Sequence, residues 1–280
     1  MKLYTMSTKS HDFLCQEIFT KSVLEYEPEL EIKVYEEPQM CSTGNYYDIG
    51  WREMMERKID IYLDAVGEND EFFIWSDVDI EFYDAFVDEC LDQLGDYDIA
   101  FQKGTGPDGE GEYCAGFFIC RINNSTKIFF HNLKDTYDQY PCDQEAINHS
   151  INQVKAKFLS DRFFNVSSQF RQWDGQSFNI PKDIIMFHAN YTIGTENKIK
   201  MMIKARNFVN FYKKQDIKFL SAEYGVFHDI TDIVPNAHSY NDYKNILLNY
   251  EDLPILDKYL YLFDEKYELI NKPVYIINDT

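Results

Sequence analysis

Two carboxylates one residue apart, Asp77 and Asp79, close the apolar run Phe72-Phe73-Ile74-Trp75 in the stretch EFFIWSDVDIEF. With Val78 pointing back, both side chains reach one hard cation, Mg²⁺ or Mn²⁺, that also takes phosphate oxygens. Solvated acids capping a turn are the plain alternative, because D-x-D arises by chance in an acidic chain. The apolar run before them argues for a site, since carboxylates beside buried backbone are costly until something satisfies them.

Three further stretches carry chemistry-bearing residues. In CAGFFICRIN, residues 114–123, Ala115 and Gly116 precede an apolar strand. That suits a close approach to the backbone, and equally a tight entry into the core. In YPCDQEAINHSI, residues 140–151, Asp143 suits the positive end of a helix. Gln144 is left over by that reading, and is expected to sit with Asp143 at the mouth of the cleft that holds the two carboxylates. In MFHANYTIGTENK, residues 186–198, His188 directly follows an apolar strand, with Gly194 and Lys198 downstream. A lone histidine is ordinarily a core residue, whereas a lysine at that place can neutralise a diphosphate.

The elements that must hold these residues alternate along the chain. Strands are predicted at 3–6, 31–37, 72–75, 97–101, 114–122, 157–159 and 184–187. Helical spacing predicts helices at 12–25, 51–66, 83–94, 126–137, 143–153 and 196–212. Residues 103–112 read as a Gly-rich loop without the G-x-G-x-x-G of a dinucleotide site. The alternation predicts an α/β fold with a mostly parallel sheet. In such sheets ligands sit outside the carboxyl ends of strands, where Asp77, Asp79 and His188 fall. From about residue 218 the pattern changes to short β-like segments at 219–224, 229–234, 259–263 and 274–277. The expected organisation is one domain over 1–215 and a small β-rich module over 216–280.

The net charge of −21 sets this chain against nucleic acid and anionic membranes as partners. An anionic ligand then needs a metal ion or local cations to offset the field. No apolar stretch approaches the ~20 residues of a membrane span, and MKLYTMSTKSHDF lacks the apolar core of a signal peptide. The six cysteines form no C-x-x-C pair, which points away from zinc and disulfides and toward a reducing compartment. Asn165-Val166-Ser167 and Asn190-Tyr191-Thr192 match the glycosylation sequon and read as chance matches.

Taken in order, WSDVDIEF, CAGFFICRIN, DQEAINHSI and HANYTIG resemble the GT-A nucleotide-diphospho-sugar glycosyltransferases. The nearest likeness is to glycosyltransferase family 77, with family 8 more distant. The resemblance implies a Rossmann-like α/β fold with a mixed, mostly parallel sheet flanked by helices. It implies metal-dependent transfer, with retention, from a UDP-linked sugar to a glycan or protein acceptor. In that family the residues matching Asp77 and Asp79 bind Mn²⁺, or Mg²⁺, with the donor's ribose and diphosphate. The residue matching His188 completes the metal shell, and that matching Lys198 contacts the diphosphate. The spacing from Gly194 to Lys198 is one residue longer than in family 8. Lys58 resembles a basic residue near the donor sugar, and Thr5 to Ser7 match the loop that holds base and ribose. Ala115 and Gly116 fall among the donor-binding residues, preceded by Cys114 where the family usually has Asn. Asp143 and Gln144 match a pair beside the anomeric carbon that stabilises oxocarbenium character while the leaving diphosphate deprotonates the acceptor.

Two other classes compete. A metal-dependent nucleotidyltransferase would want a basic Gly-rich loop near the N-terminus, and MSTKSHDF is a poor one. An inactive glycan- or nucleotide-sugar-binding module would carry a degraded site, while here Asp77, Asp79, Asp143, Gln144 and His188 all stand. The expected setting is the cytoplasm, in a bacterial or viral context.

Overall fold

The computed structural model describes residues 1–105, 111–166, 180–181, 183–213, 260–263 and 269–274. The chain divides into two compact units, Met1–Trp173 with Asp183–Met202, and Asp174–Lys182 with Ile203–Thr280.

In the first unit, β1 (Lys2–Ser7), β2 (Glu31–Glu36), β3 (Phe72–Ser76), β5 (Ile99–Thr105), β6 (Gly111–Arg121) and β7 (Ala156–Phe158) form one sheet. Its order is β2-β1-β3-β6-β5-β7. The pairs β1–β2, β1–β3 and β5–β7 run parallel, and β6 runs antiparallel to both β3 and β5. The sheet is therefore mixed and mostly parallel, as the alternation of elements predicts. A second sheet, β4-β9-β8, joins the short strands β4 (Ile80–Phe82), β8 (Phe163–Asn165) and β9 (Met186–His188).

β3 is central, and side chains alternate across it. Phe73 and Trp75 face α2 (Trp51–Gly67), α4 (Asn124–Thr136) and α5 (Asp143–Ser150) in the main core. There Tyr62 lies edge-on to Trp75 and to Phe118, with ring centroids 4.9 and 5.2 Å apart. On the other face, Phe117 meets Phe82, Phe86 and Phe163. Phe19, at the end of a π-helical stretch (Leu14–Phe19) that leads into α1 (Thr20–Tyr26), packs on Phe82. Each such side chain contributes about 1.5–3 kcal/mol on burial, which holds β3 rigidly up to its last residue.

Helix starts follow local chemistry. Asn123 and Thr126 close a capping box that begins α4 at Asn124, ahead of the predicted residue 126. α2 follows Gly50, whose φ of 86° is left-handed and whose missing Cβ avoids the Met40 carbonyl. Of the stretch 103–112, predicted as loop, residues 103–105 and 111–112 are instead the paired ends of β5 and β6, with Lys103 opposite Tyr113 and Thr105 opposite Gly111, while 106–110 lie outside the described residues. The helix predicted from residue 83 is α3 (Val87–Leu94), because the backbone N–H groups of Tyr83 and Phe86 are bonded outside the helix, to the Ile185 carbonyl and the Glu27 carboxylate.

α6 (Thr195–Lys213) fills the helix predicted at 196–212. In the second unit β10 (Leu260–Phe263) pairs antiparallel with β11 (Leu269–Val274). The strands predicted at 219–224 and 229–234 lie outside the described residues, as does 275–277. No helix among the described residues is long and apolar enough to cross a membrane.

Candidate active site

The D-V-D segment is the bridge between the two sheets. Asp77 N–H donates to the Gly116 carbonyl at 2.7 Å, which carries the β3–β6 pairing one residue beyond Ser76. The chain then turns into β4, where Ile80 pairs with His188 of β9. Ala189 N–H donates to the Asp79 carbonyl at 3.0 Å and locks this register. As a result one oxygen each from Asp77 and Asp79 and one ring nitrogen of His188 lie within 4.8 Å of one another. Gly116 keeps the gap open. A Cβ there would land on the His188 ring and 3.0 Å from Asp77 Oδ2.

Lysines balance the acids. Lys198 Nζ meets Asp79 Oδ2 at 2.5 Å, and His188 Nε2 meets Asp79 Oδ1 at 3.3 Å. Burial pushes the Asp79 carboxyl up, but the Lys198 and His188 charges outweigh it and hold the group well below the usual range. Burial pushes the His188 imidazole down, and the adjacent Asp79 more than reverses this, to about 10. Asp77 is raised by burial against the opposing charge of Lys58. Lys58 is 3% exposed and bridges two acids, with Nζ 2.8 Å from Asp77 Oδ1 and 3.0 Å from Asp143 Oδ2. The second is an ion-pair contact without hydrogen-bond alignment. Burial alone would lower the Lys58 ammonium, yet Asp143 and Asp77 raise it well above its ordinary value.

A shell behind these groups fixes their orientation. The Gln102 amide nitrogen donates to the Phe163 carbonyl at 3.1 Å, so its Oε1 faces His188 Nδ1 at 2.8 Å. Nδ1 must then carry the proton, and Nε2 points at Asp79. Trp75 Nε1 donates to Asp77 Oδ1 at 3.0 Å. Two carboxylates and one imidazole suit a hard or borderline cation such as Mg²⁺ or Mn²⁺, and the imidazole favours the latter.

Asp143 and Gln144 open α5, where the N-cap is the Cys142 thiol and not Asp143. Asp143 is buried. The Gln144 amide donates to Glu112 Oε1 at 2.8 Å and to the Tyr191 hydroxyl at 3.1 Å, while its Oε1 accepts from Ala115 N–H at 3.3 Å. The Tyr191 hydroxyl also donates to Glu112 Oε1, at 3.2 Å. Tyr191 holds this place with a left-handed φ of 55°, an uncommon conformation that costs about 1–2 kcal/mol.

One cleft is lined by Lys58, Asp77, Asp79, Gln144, His188 and Lys198, and by Asp143, Ala115 and Gly116 beside them. Thr5 and Ser7 lie elsewhere. β1 runs through Ser7, both side chains are buried, and the cleft takes their chain neighbours Met6 and Thr8. Alternation along a strand permits one set or the other. Gly194 is not in the cleft wall. Its φ of 87° turns the chain into α6, and its N–H donates to Asn45 Oδ1 at 2.9 Å. Glu112, Tyr191, Gln102, His11 and Asn190 went unpredicted. Only Glu112 had a local signal, since it shares a strand face with Cys114 and Gly116 at spacings of two.

A family model described as nucleotide-diphospho-sugar transferase matches residues 19–202. No curated protein sequence gives a significant match. Among solved structures the chain is similar to the galactosyltransferase LgtC in complex with donor and acceptor sugar analogs. That match has 14% identity, covers 68% of this chain and 87% of the other, and has a TM-score of 0.46. A glycosyltransferase involved in the glycosylation of the major capsid of PBCV-1 matches at 12% identity, over 72% of this chain and 100% of the other, with a TM-score of 0.49. Mouse xyloside xylosyltransferase 1 in its apo form matches at 13% identity, over 68% and 97%, with a TM-score of 0.42.

Proposed function

Because the chain belongs to the nucleotide-diphospho-sugar transferase family, we propose that it transfers a sugar, with retention, from a UDP-linked donor to a glycan or protein acceptor. The observation that carries this reading is the convergence of Asp77, Asp79 and His188 within 4.8 Å in a cleft that also holds Asp143, Gln144 and Lys198.

Asp77, Asp79 and His188 would hold the metal. Bound Mn²⁺ or Mg²⁺ would supply Lewis-acid stabilisation of the charge that develops on the leaving diphosphate. Lys198 adds a second positive charge, and Thr5 to Ser7, with Gly194, are read as supporting the donor from behind the cleft wall. Ala115 and Gly116 give the sugar close backbone access. Asp143 and Gln144 stand for the pair beside the anomeric carbon, their oxygens stabilising positive charge there. Lys58 fixes Asp143 and Asp77 in that arrangement. In retention the acceptor attacks on the face the diphosphate leaves, and that diphosphate takes the acceptor proton, whereas inversion would need a carboxylate base facing the acceptor.

A chain at −21 selects a neutral or basic acceptor. Within the family the likeness to glycosyltransferase family 77 remains the preferred placement. The six free cysteines, all buried, support a cytoplasmic setting. Residues 216–280 are read as a separate small module.

Thermal melting with a panel of nucleotide sugars, with and without Mn²⁺, tests the reading beside Asp79→Ala. A donor at 100 times its Kd adds about 2.7 kcal/mol. A Mn²⁺-dependent shift with one donor, lost in the variant, is the expected result. No shift with any donor or bare nucleotide would demote the enzyme reading and leave an inactive glycan-binding module in front.

A further inference from the structure

Asn190 stands two residues beyond His188 in the wall of the cleft and is 7% exposed. Neither Nδ2 nor Oδ1 of its amide has a hydrogen-bond partner among the described residues. Buried amides are almost always paired, so one with both ends unmet in a cleft wall calls for a ligand. Its neighbours contrast with it. His188 is held by Gln102 and Asp79, Tyr191 by Gln144 and Glu112, and the Thr192 hydroxyl donates to the Asn190 carbonyl at 3.2 Å. The backbone on either side is committed too, by the Ala189–Asp79 hydrogen bond and by the left-handed Tyr191. Asn190-Tyr191-Thr192 matches a glycosylation sequon, yet its burial removes the amide nitrogen from modification in the folded chain.

We propose that Asn190 is the residue that reads the nucleotide sugar, its amide giving one hydrogen bond to the ligand and accepting another. The proposal rests on the reading of the cleft as a nucleotide-sugar site. The chemistry selects which part of the ligand it meets. A diphosphate only accepts hydrogen bonds and would leave Oδ1 unmet. Sugar hydroxyls, or the imide edge of the base, both donate and accept, and so satisfy both ends of the amide.

Asn190→Ala and the near-isosteric Asn190→Asp separate this from a structural role. Their melting is followed without ligand and with Mn²⁺ plus pyrophosphate, UDP, or UDP-sugars. Without ligand, Asn190→Ala is expected to melt no lower than the parent, because an unmet buried amide is removed. The pyrophosphate shift stays, while in Asn190→Ala affinity for UDP or for the UDP-sugar falls about 10- to 100-fold, the equivalent of two lost hydrogen bonds. Loss already with UDP assigns Asn190 to base or ribose, and loss only with the UDP-sugar assigns it to the transferred sugar. A lower melting point for both unliganded variants, or unchanged affinity for every ligand, would overturn the proposal. If the parent shifts with no nucleotide at all, the site reading itself fails and the proposal falls with it.

Discussion

Glu112 Oε1 accepts a hydrogen bond from the side-chain amide of Gln144 at 2.8 Å, and this decides which end of that amide meets the cleft. With its nitrogen taken by Glu112 and Tyr191, Gln144 presents its carbonyl oxygen toward Ala115 and the pocket. Glu112 therefore acts through Gln144 as a positioning residue. Replacing Glu112 by Ala is expected to lower kcat by roughly 10- to 100-fold with little change in KM, the size of one charge-assisted hydrogen bond. Glu112→Gln keeps an acceptor and should retain most activity. Steady-state kinetics on donor hydrolysis decides the point, and equal losses in the two variants would count against it.

Lys58 is a buried cation shared by two buried or half-buried acids. Lys58→Ala leaves Asp77 and Asp143 without their countercharge, and the expected loss is about 3–5 kcal/mol. Urea denaturation at neutral pH measures it. Lys58→Met combined with Asp143→Asn removes charge from both sides and should recover part of that loss. An unchanged midpoint for Lys58→Ala would show that water already compensates the pair.

Gly116 is the spacer between Asp77 and His188. Gly116→Ala drives a methyl into the imidazole, which Gln102 and Asp79 hold from two sides. Overpacking of this kind costs about 1–3 kcal/mol. Calorimetric titration with Mn²⁺ should show binding in the parent and its loss in the variant, while the circular dichroism spectrum keeps its shape.

His11 makes stability depend on acid. Its Nδ1 lies 2.8 Å from the Ser10 hydroxyl, and burial, then the charge of Lys198, lower its pKa to about 4. The unfolded chain takes up this proton near pH 6.5, so the unfolded state binds more protons between 6.5 and 4. Stability from this group is complete above pH 6.5 and is lost as pH falls toward 4. Melting of the parent and of His11→Gln across that window should show a steeper fall for the parent. Parallel curves would refute the assignment.

Much of the frame was readable from local pattern. β3 is an unbroken apolar run, α2 and α6 carry helical spacing, and the carboxylates at 77 and 79 mark a strand end whatever surrounds them. The second sheet was not readable, because strands of three residues such as β4 and β8 are too short to show a period. That sheet is what sets His188 against Asp79. Lys58 carries a faint mark, since it lies four residues from both Met54 and Tyr62 on the buried face of α2. A lysine in an apolar register demands buried acids, but which acids is a question of where α5 packs.

The amino-acid sequence by itself determined the longer elements and the kinds of residue at their ends, because these depend on spacing along the chain. Only the tertiary structure decided the partners. Lys198 reaches Asp79 across 119 residues, and Gln144 reaches Tyr191 across 47. No local pattern encodes such distances. They are set by the packing of two sheets against their helices, which brings the ends of β3 and β9, the interior of β6 and the start of α5 to one cleft.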